Sequence, residues 1–389
     1  MTKLKEAGKA LIVAGFPDSI LQFRGKLIES LCLAGISVHV AVPDVLPGSA
    51  VRVALESAGV VVHEIPLNRV GTSPIEDFVL LCSLYRVMRK VRPDVVLGYT
   101  VKPVIYGSLA AWAAGVPRRY ALITGLGYAF TNGRAGWLST AIRKMYKLAL
   151  SRVSKVFFQN PDDQLLFQTN GTISAATPSV VVNGSGVDIS EYQAEPLPGA
   201  PPRFLMIGRL LGDKGVREYA KAARQVRLIH PDVKCCLVGW IDENPDAIAQ
   251  AELDCWVEEG CIHFLGRLKD VRPAIANCSV YVLPSYREGT PRTVLEAMAM
   301  GRPVITTDAP GCRQTTSDGD NGFLVPVGSA DELAVAMLRF IENPGIIPEM
   351  GRRSRQIVEE KYDVHKINET MLREMGIFPT TDLKVTQDA

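Results

Sequence analysis

The sequence has no apolar run long enough to cross a bilayer. Its longest, near Val104 to Val116, falls well short of the ~20 residues a spanning helix needs. Met1 to Lys9 carries charge but no apolar stretch with a small-residue cleavage site, so no secretory leader is expected and a cytoplasmic location is. The eight cysteines, at 32, 82, 235, 236, 255, 261, 278 and 312, contain no Cys-x-x-Cys pair and no Cys/His spacing suited to zinc. Most lie inside apolar runs and are expected as buried thiols in a reducing compartment. A dinucleotide fingerprint is missing too: Gly125-Leu126-Gly127 and Gly184-Ser185-Gly186 both stop short of GxGxxG, which argues against a nicotinamide enzyme. Acidic residues are absent from Val95 to Pro161, a window that holds Lys102, Arg118, Arg119, Arg134, Arg143, Lys144, Lys147, Arg152 and Lys155. Residues 1–190 carry 20 Lys+Arg against 12 Asp+Glu and the remainder 23 against 29, so an anionic partner is expected on the first half; nothing suggests nucleic acid.

What is present is a chain of 389 residues, 47% hydrophobic and 22% charged, longer than a single core usually grows. Short β-branched runs alternate with helical patterns: Ala10 to Ala14, Val38 to Val42, Val60 to Ile65, Val95 to Tyr99, Tyr120 to Thr124, Lys155 to Gln159 and Ser179 to Val182. Glu191 to Pro202 holds four prolines and interrupts this rhythm. A second rhythm then runs through Phe204 to Ile207, Lys234 to Val238, Cys261 to Leu265, Val280 to Pro284 and Pro303 to Thr306. This alternation predicts α/β architecture: a Rossmann-like domain over 1–190, a linker over 191–202 and a second such domain over 203–389, with a last helix able to return to the first domain. Two such domains facing one another make a cleft with a ligand pocket from each side.

The segment after the strand ending at Pro284 is the most informative. Thr290 is suited to capping and Pro291 to the first helical position, so a helix is predicted there with free amides that suit phosphate. Glu288 lies before this helix and Glu296 about two turns into it, which lets the two carboxylates address different parts of one ligand. The plain alternative is a solvated loop glutamate and a surface helix glutamate.

From Glu288 to Glu296, and through the continuation GTPRTVLEAMAMGRPVI, the chain resembles the E-x7-E element of retaining, GT-B-fold glycosyltransferases of the GT4 family. Gly208-Arg209 through Lys214-Gly215 resembles the family's diphosphate-holding loop, which implies that Arg209 and Lys214 stabilise the departing nucleoside diphosphate, as fixed cations would. With Glu288 they are the expected catalytic residues. Glu296, Gly289, Thr290, Thr293, Gly208, Gly266 and Arg267 are expected on the donor. Gly311 to Pro326 resembles the run GCRE...DG.NGFLV, with Gln314 in place of the usual Glu. Asp318-Gly319-Asp320 reads as turn chemistry, and no metal or other cofactor is expected.

Tyr99-Thr100-Val101-Lys102-Pro103 and Ile123-Thr124-Gly125-Leu126-Gly127 resemble acceptor-side elements of bacterial polysaccharide and lipid-linked-oligosaccharide enzymes. They mark Thr100, Lys102, Thr124 and Gly125, with Lys102 either on an acceptor phosphate or simply solvated. None of the five histidines falls in these motifs; His39 and His263 are expected to pack within strands. In Trp137 to Val153, Leu138, Ile142, Met145 and Ala149 share a helix face beside Arg143, Lys144, Lys147 and Arg152, so the helix either lies on an anionic membrane surface or packs on the core; the acid-free window favours the membrane.

The resemblance implies transfer of a hexose or N-acetylhexosamine, GalNAc first, from a UDP-sugar to a polyprenyl-diphosphate-linked saccharide such as one on undecaprenyl diphosphate. The setting would be capsule, lipopolysaccharide or glycan assembly on the inner face of the cytoplasmic membrane. The alternatives are a UDP-GlcNAc 2-epimerase-like enzyme and a nucleotide-sugar-binding protein without turnover.

Overall fold

A computed structural model describes residues 8–69, 73–125, 137–242 and 244–378, with the backbone alone at 137 and 138. Leu126, Gly127 and Arg134 lie outside the described residues. The chain divides into two compact units, one of residues up to Ser185 together with those from His365 onward, the other Gly186–Val364.

In the first unit the order is β1 (Lys9–Val13), α1 (Asp18–Leu33), β2 (Ser37–Val42), α2 (Ala50–Ser57), β3 (Val61–Glu64), α3 (Pro74–Val91), β4 (Val95–Tyr99), a π-type turn (Pro103–Gly107), α4 (Ser108–Ala113), β5 (Arg118–Ile123), α5 (Trp137–Leu150), β6 (Lys155–Phe158), α6 (Pro161–Thr169) and β7 (Ser179–Val181). Every strand pairing is parallel, in the spatial order β3-β2-β1-β4-β5-β6-β7. The central β-branched runs become strands because they are covered on both faces, as parallel sheets require, while the edge strands β3 and β7 are only partly covered. One face packs α1 residues such as Ile20, Leu27 and Leu31, together with Met371, Leu372 and Met375 from the end of the chain. The other packs Leu80, Leu84 and Met88 of α3 and Tyr146, Ala149 and Leu150 of α5.

The second unit runs β8 (Arg203–Leu210), a 3-10 turn (Gly212–Lys214), α7 (Val216–Ile229), β9 (Lys234–Ile241), α8 (Gln250–Glu258), β10 (His263–Phe264), α9 (Arg272–Ala276), β11 (Val280–Leu283), α10 (Arg292–Ala299), β12 (Val304–Thr307), β13 (Gly322–Val325), α11 (Ala330–Glu342) and α12 (Ile346–Ile357). Helix α13 (Val364–Glu374) begins at the boundary and lies almost wholly in the first unit. This second sheet is also parallel, ordered β10-β9-β8-β11-β12-β13.

Several expectations need correction. The proline-rich stretch 191–202 is part of the second unit, not a linker. The Glu195 amide donates to the Met300 carbonyl, and the buried Arg302 guanidinium binds the Glu195 and Pro196 carbonyls, at 2.7 and 3.0 Å. The apolar stripe of α5 is spent on the core: Ile142, Met145 and Ala149 all pack there. His263 is exposed because its strand is only two residues long at a sheet edge. Cys255 on α8 is exposed as well, while the other cysteines are buried or half-buried, and all eight are free thiols. His39 stacks on His63, with ring nitrogens 3.0 Å apart across β2 and β3. Burial lowers both imidazoles from the ordinary histidine range. β13 was not anticipated, since its four residues read as the tail of the Gly311 to Pro326 motif.

Candidate active site

Strand order decides where chemistry gathers. In the second unit the chain enters at β8, builds outward to β10, then crosses back to β11 on the other side of β8. The loops after β8 and β11 therefore diverge at the switch point of the sheet, where doubly wound domains bind ligands. Lys214 lies on the first loop and Glu288 on the second, and they meet: Lys214 Nζ is 2.6 Å from Glu288 Oε1. Ser285 Oγ is 2.9 Å from the same carboxylate oxygen and donates to it.

The backbone holds this meeting rigidly. Tyr286 N donates to Asp213 O at 2.8 Å, and Glu288 N donates to Pro310 O at 3.0 Å. Two glycines permit the approach. A Cβ on Gly215, at φ +74°, would sit 2.1 Å from the Pro284 carbonyl oxygen, and one on Gly311, at φ +82°, would sit 2.1 Å from that of Glu288. Gln314, where the family carries Glu, accepts from the Gly311 amide through its side-chain oxygen at 2.8 Å. An amide oxygen thus does the positioning that a carboxylate oxygen would do.

Electrostatics follow from this packing. Burial by itself would lower the Lys214 ammonium, but the Glu288 carboxylate and then Asp213 outweigh it and hold the pKa above its ordinary value. Burial pushes the Asp213 carboxyl up, against the pull of Lys214. Arg209, expected beside Lys214, is turned to Asp242 just beyond β9, with Nη1 to Oδ2 3.0 Å. Neither Asp242, Asp213 nor Ser285 was singled out from sequence. Asp242 had one available signal, an acid immediately past a strand's carboxyl end.

Helix α10 begins at Arg292 with Pro291 at the cap, one residue later than predicted, and no side chain caps it. Thr290 is therefore not the cap: Pro291 takes an extended φ/ψ of −73°/107° and itself fills the half-in position. Glu296 on this helix is buried and accepts from Arg292 Nε at 2.8 Å and from the Tyr192 hydroxyl. Burial raises its carboxyl, with Arg292 and Tyr192 opposing the rise. A raised folded-state pKa means that this group favours folding at pH below the ordinary carboxylate range and loses that contribution as pH rises through its folded pKa. Glu296→Gln is thus expected to cost less stability, relative to wild type, above pH ~7 than near pH ~4; thermal unfolding of both proteins across that range measures it.

The remaining residues expected on the donor lie at the same ends of the sheet. Thr293 Oγ1 reaches the Ile207 carbonyl at 3.5 Å, and Gly289 is buried beneath the Gly311 turn. Positions Gly208 and Gly266 open on free space: a Cβ at either would meet no atom within 4 Å. Arg267 stacks over Trp240 at 4.5 Å from the ring centre. Asp318 and Asp320 are engaged in the turn, Asp318 accepting from Leu324 N at 2.9 Å and Asp320 paired with Arg353 at 2.8 Å.

The first unit repeats the logic. Its switch point lies between β1 and β4, and there Thr100 takes a left-handed φ of +70°, rare for a non-glycine residue. A Cβ on Gly15, after β1, would meet Thr100 Oγ1 at 2.7 Å. Thr124 and Gly125 follow β5, the neighbouring strand. Lys102 is not solvated: its Nζ pairs with Asp77 Oδ1 at 2.7 Å, and Tyr106 donates to Asp77 Oδ2 at 2.7 Å.

Two parallel α/β units, the second with a lysine and a glutamate joined at its switch point, have the architecture of the two-domain glycosyltransferase class. Residues 14–160 match the family described as Glycosyl transferase 4-like, and residues 201–343 match Glycosyl transferases group 1. The chain is 26% identical over 353 residues to the N,N'-diacetylbacillosaminyl-diphospho-undecaprenol alpha-1,3-N-acetylgalactosaminyltransferase of Campylobacter jejuni, covering 87% of this chain and 90% of that protein. It is 24% identical to the UDP-Gal:alpha-D-GlcNAc-diphosphoundecaprenol alpha-1,3-galactosyltransferase of Escherichia coli, covering 76% and 78%. Among solved structures it is similar to sucrose-phosphate synthase of Thermosynechococcus elongatus, with a TM-score of 0.77 at 18% identity over 95% of this chain and 98% of that one. The chain belongs to the GT-B glycosyltransferases, with a GT4-like first domain and a group 1 second domain.

Proposed function

We propose that the enzyme transfers an N-acetylhexosamine or hexose, GalNAc first, from a UDP-sugar to a polyprenyl-diphosphate-linked saccharide with retention of the α configuration. It would act at the inner face of the cytoplasmic membrane in the assembly of a cell-surface polysaccharide or glycan. The observation that carries this reading is the Lys214–Glu288 pair, 2.6 Å apart at the switch point of the second unit. The choice of sugar and acceptor is supported by the activities named for the two relatives, both of which transfer to diphospho-undecaprenol-linked sugars with alpha-1,3 linkage.

In this mechanism the donor diphosphate competes with Glu288 for Lys214 and with Asp242 for Arg209. Glu288, held by Ser285, turns to the sugar hydroxyls, and Glu296 takes the ribose hydroxyls. As the bond from the sugar C1 to the β-phosphate oxygen breaks, negative charge grows on that oxygen, and the two cations stabilise it. The acceptor hydroxyl forms the new bond at C1 on the same face and gives its proton to the departing phosphate oxygen. Thr100, Thr124 and Gly125 are the acceptor-side residues of this reading; Lys102 has its charge committed to Asp77. This reading assigns no metal to turnover; the Asp318 and Asp320 side chains serve the turn they sit in.

The test is incorporation of label from UDP-GalNAc into a lipid extract in the presence of EDTA. The expected product loses its label to an α-N-acetylgalactosaminidase and resists the β-specific enzyme. A β-linked product, or label that stays in free sugar, overturns the reading.

A further inference from the structure

Helix α3 carries two apolar stripes where a domain helix needs one. Leu80, Leu84, Met88 and Val91 face the core and are buried. On the opposite side Ile75, Phe78, Val79, Cys82 and Tyr85 recur at helical spacing, and Arg86 and Arg89 continue the same face. Ile75 is 78% exposed and Phe78 65%. Helix α4 packs beside α3 and presents Trp112, 48% exposed. Between them lies an open depression of about 630 Å³, lined by Leu81, Cys82, Tyr85, Leu109, Trp112 and Ala113.

The border of this surface is basic. Arg152 stacks on Trp112 at 4.6 Å from the ring centre, and Lys144 and Lys147 are exposed on α5, which packs against α4. No acid occurs in the sequence from Val95 to Pro161. The acids of α3 are confined to its first turn, Glu76 and Asp77, and Asp77 is paired with Lys102. Exposed aliphatic and aromatic side chains framed by Lys and Arg suit one partner chemistry, a layer whose anionic headgroups cover an apolar interior.

We propose that the outer faces of α3 and α4, with the basic residues beside them, form a docking surface for an anionic lipid bilayer. The apolar stripe of α5, which the sequence favoured for this task, packs on the core, so α5 contributes mainly the charges of Lys144 and Lys147. Ile75, Phe78 and Trp112 enter the headgroup boundary, while Arg86, Arg89, Lys144, Lys147 and Arg152 meet the phosphates. This surface is distinct from the donor site, and it would keep the first unit beside a lipid-linked acceptor.

The full chain is cosedimented with phosphatidylcholine vesicles, with and without phosphatidylglycerol. Wild type is expected to bind the anionic vesicles, and to bind less as salt is raised. Ile75→Ser/Phe78→Ser and Arg86→Glu/Arg89→Glu are each expected to lower the partition by about tenfold or more, a basic side chain at such a surface being worth about fivefold. Leu228→Ser, at an 83% exposed residue of the second unit, serves as control and is expected to bind as wild type does. All these side chains face water, so unfolding temperatures should be unchanged; if the serine variant fails to fold, the charge variant carries the test alone. Equal partition of wild type and variants, or no binding by wild type, overturns the proposal. So does a wild-type dimer that the variants dissolve, which would make the face an interface between copies. Vesicle binding is read without donor or acceptor, so its failure and that of the transferase reading are separable.

Discussion

Replacing Glu288 with glutamine is expected to lower turnover by about 10²–10³-fold while UDP affinity stays within about threefold of wild type. Glutamine has nearly the same shape and keeps an oxygen for Ser285 Oγ, which sits 2.9 Å from the native carboxylate. What it loses is the charge that faces Lys214 at 2.6 Å. In the resting site that charge balances the lysine; in the reacting complex it positions the sugar while the lysine serves the leaving diphosphate. UDP lacks the sugar that Glu288 positions, and its diphosphate no longer has to displace a carboxylate from Lys214, so UDP binding should not weaken while turnover falls. Glu296→Ala should behave oppositely, weakening UDP by about tenfold or more through the lost ribose contact. Turnover at saturating donor and UDP affinity by calorimetry measure both effects. Wild-type turnover in Glu288→Gln would remove that residue from the chemistry.

Arg302→Ala is expected to destabilise the second unit by about 3–5 kcal/mol, the largest stability loss expected of a single substitution here. Arg302 is fully buried, and its guanidinium spends its donors on the carbonyls of Ile275 at 3.0 Å, Glu195 at 2.7 Å, Met300 at 3.1 Å, Pro196 at 3.0 Å and Ala276 at 3.0 Å. Burial lowers its pKa from the ordinary arginine value, and the ion survives because every face of the fork is satisfied. Alanine would leave those carbonyls without these donors and open a cavity beneath residues 195–196. For a unit of this size such a loss lowers Tm by about 10 °C or more. Lysine, with three donors and no fork, should recover only part of it. Thermal unfolding decides the matter, and an alanine variant that melts within about 2 °C of wild type would refute this account of the 191–202 stretch.

The periodic signal carried most of the fold. β4 runs from Val95 to Tyr99 in both readings, because five consecutive buried positions leave no ambiguity about its face. Signals failed where tertiary contacts decide. Prolines between 191 and 202 read as a linker, but Arg302, more than a hundred residues later, anchors their carbonyls. The amphipathic pattern of α5 is equally that of a core helix and a membrane helix, and only packing tells them apart. For α3, Arg86 and Arg89 on the outer face hid the second stripe.

The site was legible in part. Glu288, Lys214 and Arg209 were marked by local motifs, and two of the three meet. That Arg209 faces Asp242 and Lys102 faces Asp77 depends on which loops adjoin. Those partners lie 33 and 25 residues away in sequence. Strand order supplies part of the missing rule: Asp242 follows β9, the neighbour of β8, and residues after β8 and β11 face one another across a switch point that no window of sequence reveals.

UDP release from a panel of UDP-sugars, followed with and without membrane extract and with EDTA throughout, tests the central claim most directly. The account predicts release from one sugar, dependent on the extract and lost in Glu288→Gln. Release independent of the extract, or undiminished in that variant, would contradict it.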